Sequence, residues 1–160
     1  LYASVNVSPK FGIFRPTWGF NYNQQFFDTR KYGASKALSK PLLSCSLDNN
    51  FALSETMNAA IRLNASTTHA DGFLMMKSGY SVNLQFDKSF ANRTWIIYLS
   101  ANDIFKTAKE RWTMYGLGAG TTKDCYNYTR NISLQVTYNF NAKRSKYKGT
   151  GAGNAEKSRL

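Results

Sequence analysis

The sequence predicts an all-β chain: an antiparallel, up-and-down transmembrane β-barrel segment of about seven strands, incomplete without upstream sequence. Three observations predict it. Polar and apolar residues alternate with a period of two along most of the chain, so each strand presents one apolar and one polar face. Several of the alternating runs reach the nine to eleven residues that cross a bilayer at a tilt, where globular strands usually stop at about five or six. The connections between runs alternate between short and long, as do the periplasmic turns and extracellular loops of such barrels.

The elements follow in order. Ala3, Val5 and Val7 mark a first strand at about 2–8. Trp18, Phe20 and Tyr22 alternate with Thr17, Gly19, Asn21 and Asn23 in a second, at about 13–26. Leu43, Cys45 and Leu47 carry a third, at about 40–49. In the fourth, at about 53–66, Met57, Ala59, Ile61, Leu63 and Ala65 oppose Asn58, Ala60, Arg62, Asn64 and Ser66. Tyr80, Val82, Leu84 and Phe86 oppose Ser81, Asn83, Gln85 and Asp87 in the fifth, at about 76–89. Trp95, Ile97, Leu99 and Ala101 form the apolar face of the sixth, at about 92–103. The seventh, at about 127–140, has the cleanest pattern: Ile132, Leu134, Val136, Tyr138 and Phe140 against Asn131, Ser133, Gln135, Thr137 and Asn139. Short turns are expected near 9–12, 49–50 and 91–92, and long connections near 29–39, 67–75 and 106–126. An odd strand count then ends the barrel segment, residues 1–140, on the short-turn, periplasmic side.

Composition agrees with this reading. Aromatics make up 15% of the chain and charged residues 19%. The polar faces are built from Asn, Gln, Ser and Thr, which suit a water-filled or plug-filled lumen better than the Lys and Glu of a soluble sandwich. The net charge of +12 suggests an anionic partner. However, residues 141–160 alone carry six cations (Lys143, Arg144, Lys146, Lys148, Lys157, Arg159) against Glu156, or +5. That segment is expected to be an unfolded basic periplasmic tail, and the other charges scatter over turns and loops, so no nucleic-acid partner is expected. Cys45 and Cys125 are too few for a disulfide framework, and the single histidine, His69, supplies no metal set. No cofactor or metal is expected. Leu1 is no initiator and no signal peptide is visible, so the chain is expected to begin inside either a mature protein or a larger barrel.

Two segments carry a resemblance: Trp95-Ile-Ile-Tyr-Leu-Ser-Ala-Asn-Asp-Ile-Phe105 and Arg130-Asn-Ile-Ser-Leu-Gln-Val-Thr-Tyr-Asn-Phe140. They resemble the closing strands of TonB-dependent receptors, in particular the outer-membrane barrel family of Bacteroides-like bacteria. The match is specific over residues 93–140 and generic elsewhere. In that family an Asn-Asp-(Leu/Ile)-Phe segment closes the penultimate strand before an extracellular loop. The resemblance implies that Tyr138 and Phe140 are the terminal aromatic signal read by the barrel assembly machinery; Gln135 departs from it where glycine is common. It also implies a wall of about 22 strands around an upstream plug domain that contacts the TonB energy-coupling complex. The function so implied is part of the wall of an outer-membrane receptor taking up a scarce nutrient, in contact with outer-membrane lipid and lipopolysaccharide. The alternatives are a passive outer-membrane channel or adhesive barrel, and a secreted soluble glycan-binding β-sandwich.

The chain shows no constellation that would make it an enzyme. Gly116-Leu-Gly-Ala-Gly120 lacks the Gly-Lys-Ser/Thr ending of a phosphate loop and reads as a flexible extracellular loop. Ser66, His69 and Asp71 fall together in one short loop without a nucleophile elbow. The Asn-x-Ser/Thr triplets at Asn64, Asn92, Asn127 and Asn131 are expected by chance in so Asn-, Ser- and Thr-rich a chain. The last long connection reads either as an outer-leaflet aromatic girdle with contacts to lipopolysaccharide or as a ligand-contacting loop. There Trp112, Tyr115 and Tyr126, with Arg111 and Lys123, offer aromatic and basic contacts to sugars, peptides or anions.

Overall fold

The computed structural model describes residues 1–26, 28–34, 37–116 and 119–140; the expected tail, 141–160, lies outside the described residues. In chain order the strands are β1 Tyr2–Val7, β2 Phe14–Asn23, β3 Leu42–Ser54, β4 Met57–Ser66, β5 His69–Asp71 and β6 Leu74–Met76. There follow β7 Gly79–Phe90, β8 Trp95–Asn102, β9 Lys109–Gly116, β10 Ala119–Tyr126 and β11 Asn131–Tyr138. Seven of them form one sheet in the order β1-β2-β3-β4-β7-β8-β11, every neighbour antiparallel. The other four form a smaller sheet in the order β10-β9-β6-β5. The main sheet is an open up-and-down meander of the expected seven strands, with unpaired outer edges at β1 and β11.

The registers lock the alternation of single strands into two continuous faces. One apolar row runs Leu134–Leu99–Phe86–Ala59–Phe51–Phe14 across six strands, and a second runs Val82–Leu63–Leu47–Trp18–Val7. The opposite face carries Asn64–Ser81, Ala60–Gln85, Gln85–Ser100 and Ser100–Ser133. Because the pleat has period two, any strand slipped by one residue would place its whole polar set among the apolar rows. Polar pairs tie this face together: Ser100 and Ser133 share a hydroxyl hydrogen bond of 2.7 Å, and Asn58 Nδ2 donates to Asp87 Oδ2 at 2.8 Å.

The apolar face of the main sheet is left uncovered: Ile132 on it is 79% exposed. Val5, Phe20, Leu84, Leu99, Leu134 and Val136 also stand exposed on that face. A soluble sandwich would bury these side chains between two sheets. Here the smaller sheet does not cover them.

The structure corrects two expectations. The turn expected at 49–50 does not exist: β3 runs unbroken through Asn49 and Asn50, and the chain reverses at Glu55 and Thr56. Asn49 sits on the apolar face, where Trp18 Nε1 donates to its Oδ1 at 3.1 Å. Its two cross-strand neighbours, Pro16 and Ile61, hold it in the ladder despite its turn preference. The second correction concerns the long connections near 67–75 and 106–126, which are not irregular loops. They contain the β5–β6 and β9–β10 pairs, and β6 pairs with β9 to join them.

Candidate functional site

The last long connection folds as the β9–β10 hairpin, and its register sorts the expected loop residues onto two faces. Trp112 lies opposite Lys123, while Arg111 lies opposite Asp124, Tyr115 opposite Gly120 and Tyr126 opposite Lys109. Trp112 and Lys123 therefore share one face; Arg111, Tyr115 and Tyr126 share the other. The five do not converge on a single point. Of the expected flexible loop at 116–120, Gly116 pairs with Ala119 and Gly120 with Tyr115 in the ladder, and residues 117 and 118 lie outside the described residues.

The Trp112 face is organised by Glu110, a residue the sequence did not single out. Its carboxylate accepts from Lys123 Nζ at 2.8 Å, Trp112 Nε1 at 3.0 Å and Asn127 Nδ2 at 3.1 Å. The hydrogen bond and charge of Lys123, with those from Trp112 and Asn127, pull the Glu110 pKa down to about 2. The same contact raises that of Lys123. Cys125, within the long connection expected near 106–126, lies in β10, and its thiol meets Asn127 Oδ1 at 3.2 Å.

At the root of the hairpin stands Asp103, the second residue of the Asn-Asp-Ile-Phe segment. It is buried and has a left-handed backbone, φ 45°. Its Oδ1 accepts from the backbone N–H of Thr107 at 2.8 Å and of Ala108 at 3.1 Å, and its Oδ2 accepts from Thr129 Oγ1 at 2.9 Å. Its own N–H donates to Asn83 Oδ1 on β7 at 2.8 Å. Burial alone would raise its pKa, but the donors outweigh it and hold it below the usual carboxylate value. Asp103 thus pins both stems of the hairpin to the main sheet. Tyr126 braces the same root. Its hydroxyl accepts from Arg130 N at 2.8 Å, its ring lies 5.3 Å below Lys106 Nζ, and it meets Tyr128 edge-on at 5.8 Å. The sequence signal for Asp103 was the motif itself, whose buried carboxylate no alternation pattern shows.

Beneath the smaller sheet, against the polar face of the main one, lies an open cavity of about 600 Å³. Asn21, Ser46 and Asn64 line it from the main sheet; Lys77, Lys109 and Arg111 line it from the smaller one. His69, set aside above as a loop histidine, also faces it, its Nδ1 at 2.8 Å from Thr67 O.

At the short-turn end, Tyr138 and Phe140 belong to an aromatic rim. Tyr138 packs on Trp95 with centroids 4.5 Å apart and meets Phe140 edge-on at 4.5 Å. Phe14 stacks on Phe51 at 5.0 Å and on Phe11 at 6.2 Å, and Lys88 Nζ lies 5.7 Å from the Phe90 ring. Such a belt belongs at a membrane–water interface, where rings meet headgroups and a long lysine reaches toward water.

A family model described as "Outer membrane protein beta-barrel family" matches residues 1–138. The chain belongs to the outer-membrane β-barrel family. No curated protein and no solved structure matches it. In this family's setting the exposed apolar face is the lipid-facing wall and the Asn/Ser-rich face is the lumen lining. The cavity is then at the mouth of the lumen on the long-loop side, roofed by the loop sheet. The open seven-stranded sheet is an incomplete barrel.

Proposed function

We propose that the chain is a wall and loop segment of a TonB-dependent outer-membrane receptor that takes up a scarce nutrient. The observation that carries this is the pair of unpaired edges on a seven-stranded meander. In lipid, each unsatisfied backbone group costs several kcal/mol, so both edges must find partner strands. β1 and β11 both run from the long-loop side to the short-turn side, so joining them to each other would make a parallel pair. Antiparallel closure instead requires an odd number of additional strands, and about 22 in total satisfies that parity. A wall that large encloses a lumen needing a plug, which suits the receptor reading.

In this reading the C-terminal end of β11 is periplasmic, and Tyr138 and Phe140 present the signal taken by the assembly machinery. The long-loop side faces lipopolysaccharide and solvent, and the TonB complex acts through the plug. The segment does no covalent chemistry. The test uses the full-length parent protein in cells. Uptake of its nutrient should stop when the TonB complex is removed or the inner-membrane proton gradient is collapsed. Uptake that persists, with open conductance in planar bilayers, would establish the passive-channel reading instead.

A further inference from the structure

We propose that the cavity beneath the loop sheet binds an anionic, polyhydroxylated solute, such as an acidic saccharide. This rests on the receptor reading for its purpose in the cell, though not for the binding itself. The two walls of the cavity differ in chemistry. From the main sheet Asn21, Ser46 and Asn64 offer amides and hydroxyls, the neutral donors and acceptors that sugar hydroxyls require. From the loop sheet Lys77, Lys109 and Arg111 offer only cationic donors.

Those cations are available. The ion pairs among the described residues are Asp28–Arg30, Asp48–Arg62 and Glu110–Lys123, and none involves Lys77, Lys109 or Arg111. Glu110 also lines the cavity, but its oxygens are taken up by Lys123, Trp112 and Asn127. The Arg111 head is held by a 2.7 Å bond from Nη2 to Ser78 O, which fixes the guanidinium at the cavity. A guanidinium held on the cavity wall donates to a carboxylate or sulfate oxygen through charge-assisted hydrogen bonds. The volume, about 600 Å³, falls in the range of small-ligand sites. Because the site opens on the polar face, its anion comes from a solute in the lumen rather than from lipopolysaccharide phosphate outside the wall.

The test is calorimetric titration of the full-length protein in detergent with three probes of equal length: an oligogalacturonate, a sulfated chondroitin oligosaccharide and a neutral maltooligosaccharide. At least one acidic probe should bind about tenfold or more tightly than the neutral one, and rising salt should weaken it. Arg111→Gln and Lys109→Gln should each weaken that binding about tenfold. Lys77→Gln, at an exposed residue, serves if Arg111→Gln misfolds. Equal affinity for all three probes, or acidic binding untouched by the substitutions, overturns the proposal. Acidic binding abolished by added lipopolysaccharide and retained in the substituted proteins assigns the anion site to the outer surface and also overturns it. Binding that meets every expectation in a protein whose uptake ignores the TonB complex keeps this site and removes the receptor reading.

Discussion

Arg62 lies mid-strand in β4 between two lipid-facing residues, Ile61 and Leu63, and it is tolerated because it points the other way, toward Asp48 at 3.5 Å. Moving that charge by one residue, as Ile61→Arg, places a guanidinium in the hydrocarbon beside Leu84 and Asn49. Near the bilayer midplane an arginine on the lipid face of a barrel costs about 2–4 kcal/mol. That corresponds to roughly a thirtyfold to thousandfold loss in the folding equilibrium. The control is Arg62→Leu on the lumen face. It removes an ion pair whose partners are 45% and 43% exposed, so solvent screening limits the cost to about 0–1 kcal/mol. The assay is urea titration of the full-length protein folded into lipid vesicles, followed by its gel shift and by tryptophan emission. Ile61→Arg should lower the midpoint clearly, and Arg62→Leu should hardly move it. Equal effects, or a larger loss from Arg62→Leu, would refute the assignment of the two faces.

Three further outcomes are expected. In intact cells a membrane-impermeant maleimide should modify Cys125 on the loop sheet and spare Cys45 in the lipid-facing row; the reverse labelling would invert the strand directions. Asp103→Ala should cost about 1–3 kcal/mol, because it strands the N–H groups of Thr107 and Ala108. Hydrogen exchange should then rise across β9 and β10 while β7 stays protected, and uniform loss of protection would contradict the pinning role. In the third, the Glu110 carboxylate, lowered from 4.5 to about 2, favours the folded hairpin above pH 4.5, and this contribution fades as pH falls toward about 2. The part of the tryptophan emission that Trp112→Phe removes should titrate in that window, and Glu110→Gln should abolish that titration.

Alternation alone determined the seven-stranded wall: its strands, its two faces and the short-turn and long-loop ends. The physical reason is that facing is local, since each side chain's side of the pleat depends only on residue parity. The lipid-facing pattern from Ile132 to Tyr138 was legible for that reason. Strand ends were less so, because a ladder with partners on both sides overrides local turn preference, as at Asn49 and Asn50.

Only the tertiary structure decided what the long loops do. β5 and β6 are three residues each, too short for a periodic signal, and β6 finds β9 across more than thirty residues of chain. Nothing local in Trp112, Lys123 or Arg111 says which face of a hairpin each will occupy. Glu110 and Asp103 gained their roles from donors that arrive from other segments: Lys123 and Asn127 for the first, Thr129 for the second. A carboxylate's partners are set by where the chain returns, and that is a property of the folded chain rather than of residue order.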